Sequence, residues 1–496
     1  MDQDPAGTSR KGYTLLIISI SLATFMSALD GTVVNIALPT ISETFNVSTS
    51  TVSWVSTIYL LVMAGCVLIF GKVSDNIGFK KVFLSGFLIF TIGSFSCGFL
   101  PDFITSFPAL IGSRAFQAVG GAMITAIGPA MVTAFIPMEQ KGKAMGVVLT
   151  FAALGTAIGP TIGGILTQFL SWNWIFFINV PVGIVAILLG AKVIPHQDRP
   201  EGTARLDRAG AALIFIGLAS LLFALSEGQT LGWTSPTVIG TLALAVLTLG
   251  GFVWCELRAP DPLLELRLFG SRNFLMTNLM VILLFFSFAG ISYLLPFYLE
   301  YVQGFNPSTS GLILTSLSAA MMVGGILAGM LYNRAGGRVL CIAAGISIVA
   351  GYFLLTRIHV DTPTGFVVLC LVLIGFGLGL MLTPASNMIM NSVGKKYQGM
   401  VSSLTSLERY APMTIGIAII NLVFIHGIIA IASHSRITKD APANIVTGVL
   451  VEGFDLAFLF ALLVGIVILA LAILARQETH PDYQVGVEET AAALVP

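Results

Sequence analysis

The sequence predicts an all-α polytopic membrane protein, built from two six-helix halves with two further helices inserted between them. Three observations lead to this fold class: an extremely apolar composition, a series of long apolar stretches, and a motif that occurs twice. Of the 496 residues, 56% are hydrophobic and only 10% are charged, whereas ordinary soluble proteins carry about 25% charged residues. Mean hydropathy is +0.94. A chain this apolar requires the hydrocarbon core of a bilayer as its solvent.

The apolar stretches have the length that a membrane crossing requires. A spanning α-helix needs about 20 predominantly apolar residues, and fourteen segments of the chain meet this condition. They lie near residues 14–38, 51–70, 82–100, 105–135, 144–168, 174–194, 208–226, 236–255, 274–299, 309–332, 339–357, 364–388, 399–430 and 453–475.

A repeated motif gives the arrangement of these helices. Residues 71–81 and 329–338 both carry Gly, then Asp or Asn four residues later, Gly seven later and a cation nine later. Both copies lie in short gaps, after the second and the tenth helix. A six-helix repeat would place them six helices apart, so two helices, the seventh and eighth, are inserted between the halves. Two related helical halves are typical of secondary transporters.

The repeat and the apolar segments together predict the division of the chain. The predicted parts are a tail at 1–13, an N-terminal six-helix bundle at 14–200, an inserted pair at 207–256, a linker at 257–273, a C-terminal six-helix bundle at 274–475 and a tail at 476–496.

The distribution of cations predicts the orientation. An even number of helices places both termini on one side, and 19 of the 24 Lys and Arg residues fall in the termini and gaps of that side. Only Arg357, Arg436 and Lys439 fall on the opposite side. The excess of cations marks the cytoplasmic side. We therefore expect a multi-pass protein of the cell (plasma) membrane with cytoplasmic termini.

Several functional classes are disfavoured by the composition. The net charge is zero, so there is no basic surface for nucleic acid. The five cysteines lie within or beside apolar segments and lack metal-binding spacings. No nucleophile–base set is visible at membrane depth. We expect no enzyme, no metal and no cofactor; the expected partners are the bilayer, a small-molecule substrate and protons, and the expected state is a monomer.

Ionisable residues inside apolar helices are candidates for function because they are costly in a membrane. Asp30 lies about 8 residues before the outer end of the first helix, and Arg114 about 9 residues after the outer start of the fourth. At about 1.5 Å per residue, both lie roughly 12–14 Å below the outer surface. Equal depth predicts an ion pair or a water-bridged contact. Either protonation of Asp30 releases Arg114 as a switch, or the pair only fixes helix packing.

Glu408 and Arg409 are a second pair of candidates, in the thirteenth helix. Adjacent helical residues point about 100° apart, so the two side chains should not share one cavity. Glu408 can take a proton, attract a cation or pair with a neighbouring helix. We assign proton coupling to Asp30, Arg114 and Glu408. The possible lining of a substrate cavity is Asp30, Asn35, Gln117, Asn278, Phe286, Tyr293, Glu408 and Arg409.

The fifth helix is rich in glycine. Gly155, Gly159 and Gly163 are four residues apart and share a face that permits close helix contact. Gly164 follows, and Pro160 removes one backbone hydrogen bond. The segment is either tightly packed or a bent hinge where the halves meet on the outer side, and these interpretations are compatible.

Six segments, in order along the chain, together resemble the major facilitator superfamily, in particular its fourteen-helix drug:proton antiporter subgroup. They are Leu29–Pro39, residues 71–81, Arg114–Ala122, Gly155–Gly164, Trp172–Pro181 and residues 227–269. The sequence departs from the subgroup pattern at Ala118, Asn173, Asn333 and Pro412, where Gly, Arg, Asp and Gly, respectively, are usual.

The resemblance implies specific roles. Arg114 would take part in proton coupling, and the fifth helix would indicate exchange, that is, multidrug efflux driven by the proton motive force, with drug resistance as the outcome. A cytoplasmic latch would favour the outward-open state and would depend mainly on Asp75, because Asn333 occupies the corresponding position of the second copy. Its residues would be Gly71, Asp75, Gly78, Lys80, Lys81, Arg334 and Arg338.

Three functions follow as expectations. The first is proton-coupled export of amphipathic, especially cationic, drugs or toxic molecules by alternating access. The second keeps the fold but exports one metabolite, antibiotic, siderophore or fatty acid. The third, less favoured, is a membrane sensor without transport.

Overall fold

A computed structural model describes residues 10–136, 138–195, 207–259, 264–394, 398–434 and 443–476. Within these ranges every regular element is helical. Fourteen of the described helical segments are long and apolar enough to cross a membrane. The predicted fold class and number of spans are therefore confirmed.

The helices of the N-terminal part cover six spans, of which the second and the sixth are each interrupted by one residue. They are α1 (Arg10–Phe45), α2 (Thr49–Val52), α3 (Trp54–Ile77), α4 (Phe79–Phe103), α5 (Phe107–Phe135), α6 (Met138–Phe169), α7 (Trp174–Phe177) and α8 (Asn179–Val193).

The remaining helices form the seventh to the fourteenth span. They are α9 (Arg208–Leu231), α10 (Pro236–Arg258), a 3₁₀ turn (Leu266–Gly270), α11 (Arg272–Phe297) with a π-helical turn (Tyr298–Val302), α12 (Pro307–Ala335), α13 (Gly337–Leu355), α14 (Thr364–Asn391), α15 (Gln398–His434) and α16 (Ala443–Leu474).

Several helices extend beyond their predicted bounds. Helix α1 begins at Arg10 and ends at Phe45, so residues 10–13 are helical rather than part of a tail. Helix α16 begins at Ala443, well before residue 453. Hydropathy marks only the segment that lies in hydrocarbon, whereas the hydrogen-bonded backbone continues through the polar residues at either end.

The repeated motif is helical, and the prediction of a gap over residues 71–81 is wrong. Helix α3 continues to Ile77 and α4 begins at Phe79, so only Gly78 separates them. Gly78 has φ +88° and Gly336, between α12 and α13, has φ +78°. Glycine adopts this left-handed conformation without steric cost. Each glycine N–H donates to a carbonyl of the preceding turn at 2.9 Å. The two copies therefore share one reversal of the chain.

Each half has its own packing. In the N-terminal half α1 packs on α6, and α5 packs on α3 and α4; in the C-terminal half α14 packs on α12 and α13, and α11 on α15. Helix α9 packs on α10 and also against α3 and α15, one helix of each half. Helix α10 is peripheral, since Val246 and Leu247 are 72% and 73% exposed.

The halves contact each other through α6 with α12 and α3 with α15. We call the side of the molecule on which α1 ends and α12 begins the far side. The opposite side, on which α1 begins and α16 ends, is the near side. Thr161 and Thr315 share a hydrogen bond of 2.6 Å, and Asn421 donates to Ser50 at 3.3 Å. Tyr293 donates its hydroxyl to the Thr49 carbonyl. These contacts lie toward the far side, so the halves meet there.

Candidate functional site

Asp30 and Arg114 form a buried ion pair between α1 and α5. Arg114 Nη1 lies 2.7 Å from Asp30 Oδ2, and the two side chains are 2% and 0% exposed. The contact predicted from their equal depth is confirmed. Charges removed from water in this way are retained only where each has close partners.

The second carboxylate oxygen of Asp30 accepts two further hydrogen bonds. Gln117 Nε2 and Asn179 Nδ2 each donate to Asp30 Oδ1 at 2.9 Å. Gln117 Oε1 accepts from Arg114 Nη1 at 2.6 Å, and Ser94 Oγ accepts from Gln117 at 2.6 Å and from Asn179 at 3.1 Å. We call Asp30, Ser94, Arg114, Gln117 and Asn179 the N-half network. It joins four helices, α1, α4, α5 and α8.

Arg114 has additional partners on helix α3. Its Nε donates to the Val55 carbonyl at 3.3 Å. Its Cζ lies 4.0 Å from the ring centre of Tyr59 and 5.5 Å from that of Phe176, which belongs to α7. A guanidinium donates within its plane and stacks through its faces. Arg114 is therefore held by neutral groups as well as by Asp30.

The contacts of the network depend on the charge of Asp30. Protonation of Asp30 removes one of two paired charges and leaves Arg114 without its anion, a state that costs several kcal/mol when both groups are buried. All five side chains are buried. Asp30 and Gln117 are 0% exposed in this conformation, and their place in the lining of a substrate cavity stays a prediction.

Two members of the network were not among the predicted site residues. Asn179 lies inside the fifth motif segment, Trp172–Pro181, and becomes the first residue of α8, directly after the interruption at Ile178. Ser94 carries no signal in the sequence, because a serine in an apolar helix usually bonds its own backbone. Only the convergence of α4, α5 and α8 identifies it.

Glu408 and Arg409 have different surroundings, as predicted. Glu408 is 3% exposed, and in the described part of the chain neither carboxyl oxygen has a hydrogen-bond partner. Arg409 is exposed, and its guanidinium lies 5.9 Å from the ring of Phe285 and 5.6 Å from that of Tyr410. A buried carboxyl group without partners is uncommon and requires an explanation.

The other predicted cavity residues each contact a different partner. Asn35 accepts from Ser56 at 3.0 Å, Asn278 donates to the Phe274 carbonyl at 2.6 Å, and the ring centre of Phe286 lies 6.3 Å from that of Phe460. Tyr293 bonds Thr49, as described above. Among the described hydrogen bonds and ring contacts, none joins Asn35, Asn278, Phe286 and Tyr293 to one another.

The predicted latch is described only in part. Gly71 and Gly78 lie at the near end of α3, and Lys80 and Lys81 follow in α4. Arg334 is exposed, and Arg338 Nη2 donates to the Ile473 carbonyl of α16 at 2.7 Å. The side chain of Asp75 lies outside the described residues. The latch therefore stays a prediction.

The glycine-rich segment of α6 packs against two helices at once. A Cβ added at Gly155, Gly159 or Gly163 would overlap atoms of α1, and one at Gly164 would overlap the Pro307 carbonyl of α12. Gly311 of α12 approaches the Pro160 carbonyl equally closely. The predicted meeting of the halves at this segment is confirmed.

Comparison with known proteins identifies the family. The model of the Major Facilitator Superfamily matches residues 20–417. The riboflavin transporter RibZ of Clostridioides difficile is 33% identical over 83% of this chain and 88% of its own length. The multidrug transporter MdtP of Bacillus subtilis is 32% identical over 83% of this chain and 75% of its own. The puromycin resistance protein pur8 of Streptomyces alboniger is 34% identical over 97% and 94%.

Solved structures agree on the fold. A bacterial homologue of the human lysosomal transporter Spinster, in an inward-facing and occupied conformation, superposes with a TM-score of 0.66 over 94% of this chain and 97% of its own, at 15% identity. With the family model and relatives above 30% identity, the chain belongs to the Major Facilitator Superfamily and is a multi-pass membrane transporter of a small molecule, not an enzyme.

Proposed function

We propose that this transporter is a proton-coupled antiporter that exports amphipathic, especially cationic, drugs or toxic small molecules by alternating access. The observation that carries the proposal is the buried Asp30–Arg114 pair with the N-half network around it. We further propose that it works as a monomer in the plasma membrane, with the near side facing the cytoplasm.

Asp30 is the proposed site of proton exchange because three neighbouring side chains bind its carboxylate. When Asp30 is ionised, Arg114, Gln117 and Asn179 hold α1, α5 and α8 together. When it is protonated, the carboxyl group loses its charge, and these contacts weaken. A proton moving inward supplies about 2.3 kcal/mol per 100 mV. Coupling requires that the protonated and ionised networks favour different arrangements of the halves.

Glu408 supports a preference for cations. A buried carboxylate without a counter-charge is unfavourable, and a cationic substrate bound nearby would compensate it. The cationic substrate and the proton would then compete to neutralise the buried carboxylates of the protein. This competition is a simple physical basis for exchange.

A second candidate keeps the mechanism but restricts the cargo to one metabolite, antibiotic, siderophore or fatty acid. It is favoured by the similarity to a riboflavin transporter at 33% identity. Uptake of ethidium and of riboflavin into the same vesicles separates the candidates. Transport of ethidium and other unrelated cations supports the first, whereas transport of riboflavin alone supports the second.

The test uses purified protein in proteoliposomes with an acidic interior. We expect the wild type to take up ethidium in exchange for interior protons, and Asp30→Asn to lose this dependence on the proton gradient. Asp102→Asn is the matched control, because Asp102 is an exposed carboxylate in the same half. Gradient-driven uptake by Asp30→Asn at the wild-type rate would remove Asp30 from the mechanism.

A further inference from the structure

We infer that Tyr59 is a positioning residue for the Asp30–Arg114 pair: its ring stabilises the Arg114 guanidinium after Asp30 has taken up a proton. This inference rests on the proposed function, because it concerns the same exchange of a proton. It assigns a role to a residue of α3 that is neither a member of the N-half network nor part of a motif.

The geometry places Arg114 between a partner that changes charge and one that does not. On one side lies the Asp30 carboxylate of α1, 2.7 Å from Nη1. Against a face of the guanidinium lies the Tyr59 ring, 4.0 Å from Cζ. Tyr59 is 3% exposed and Arg114 is 1% exposed, so water does not compete for the cation. Attraction between a cation and an aromatic face is stronger when both are desolvated.

Protonation therefore redistributes the contacts of Arg114. The charge attraction to α1 is lost, while the ring of Tyr59 and the carbonyl of Val55, both on α3, remain available. Helix α3 packs against α15 of the other half. When Asp30 is protonated, Arg114 therefore interacts more strongly with α3 than with α1, and α3 lies at the contact between the halves.

Few other groups around this pair can change charge. In the described part of the chain they are Tyr59 itself, Cys97 of α4, whose Sγ lies 3.6 Å from Gln117 Oε1, and Tyr410 of α15, which lies near Tyr59. Helices α7 and α8 contribute the neutral Phe176 and Asn179. Free thiols and phenols ionise mainly at alkaline pH. Asp30 is therefore the member of this set to which the proposed function assigns the exchange of a proton.

The experiment measures the pH midpoint of ethidium-driven proton release by the purified protein. Tyr59→Phe keeps the ring and should keep the wild-type midpoint. Tyr59→Leu removes the ring, which destabilises the protonated state more than the ionised one. Its midpoint should move to lower pH by about 0.4–1.5 units, because one unit corresponds to about 1.36 kcal/mol and the cation–π contribution is about 0.5–2 kcal/mol.

Two further variants separate this role from loss of packing. Tyr352 of α13 is also a fully buried tyrosine but lies in the C-terminal half, so Tyr352→Leu should leave the midpoint unchanged. Phenylalanine analogues with increasing fluorination at position 59 keep the shape of the ring and weaken its attraction for cations. They should lower the midpoint stepwise, and they serve equally if Tyr59→Leu does not fold.

The outcomes distinguish this inference from the proposed function. If the wild type releases no protons, the proposed function fails. If the wild type releases protons and both Tyr59→Leu and the fluorinated series keep its midpoint, the role of Tyr59 is wrong and the antiport mechanism stands. An equal shift in Tyr352→Leu would also overturn the inference, because the effect would then be one of general stability.

Discussion

The two halves each bury a carboxyl group in the membrane region, but they treat it differently. Asp30 of the N-terminal half pairs with Arg114 and accepts hydrogen bonds from Gln117 and Asn179. Glu408 of the C-terminal half is equally buried and has no hydrogen-bond partner among the described residues. In the mechanism that we propose, Asp30 is the switch, whose charge Arg114 compensates, and Glu408 receives a proton or a cationic ligand.

Of the variants that test this difference between the halves, removal of Arg114 should reduce stability most. Arg114→Ala leaves the Asp30 carboxylate buried without its counter-ion, which typically costs about 3–5 kcal/mol of stability. Arg409→Ala is the matched control, because Arg409 is exposed, and its cost should stay below about 0.5 kcal/mol. Denaturant titration of both proteins in one detergent measures the difference. Equal stabilities of the two variants would show that the Asp30–Arg114 ion pair does not stabilise the fold.

Removal of Asn179, a neutral hydrogen-bond partner of Asp30, should reduce stability by a smaller amount. Asn179→Ala deletes a hydrogen bond to a carboxylate, worth about 1.5–3 kcal/mol. Asn278→Ala in the C-terminal half deletes a bond to the Phe274 carbonyl, worth about 0.5–1.5 kcal/mol. The same titrations compare the two. A greater loss in Asn278→Ala would contradict the assignment of a charged acceptor at Asp30.

Neutralisation of Glu408 should have the smallest effect on stability and a selective effect on transport. Glu408→Gln changes a carboxyl group that has no hydrogen-bond partner among the described residues, so stability should fall by less than about 0.5 kcal/mol, or rise. Vesicle uptake of ethidium should decrease several-fold, while uptake of an uncharged substrate should persist. Equal losses for cationic and uncharged substrates would assign Glu408 a purely structural role.

The sequence was sufficient to predict the parts of the molecule that depend on one helix or on a repeated pattern. Fourteen spans follow from the length of the apolar stretches, although helices such as α1 and α16 begin before them, at Arg10 and Ala443. The duplicated motif predicts two halves, yet it forms helix instead of loop, because Gly78 and Gly336 alone reverse the chain. Hydropathy does not distinguish a one-residue reversal from a short loop.

The site was predictable only where depth alone decides a contact. Asp30 and Arg114 could be matched because both lie at the same predicted depth, although 84 residues separate them. Asn179, 149 residues from Asp30, and Ser94 required the rotation of four helices about their axes. That rotation depends on packing, including the close approach of α6 to α1 at Gly155 and Gly159.

Measurement of proton release on addition of ethidium tests the central claim most directly, namely that one carboxyl group in α1 exchanges its proton for the substrate. The purified wild type, in weak buffer, should release protons as ethidium binds, and Asp30→Asn should bind ethidium without releasing them. The same release from Asp30→Asn as from the wild type would contradict the account.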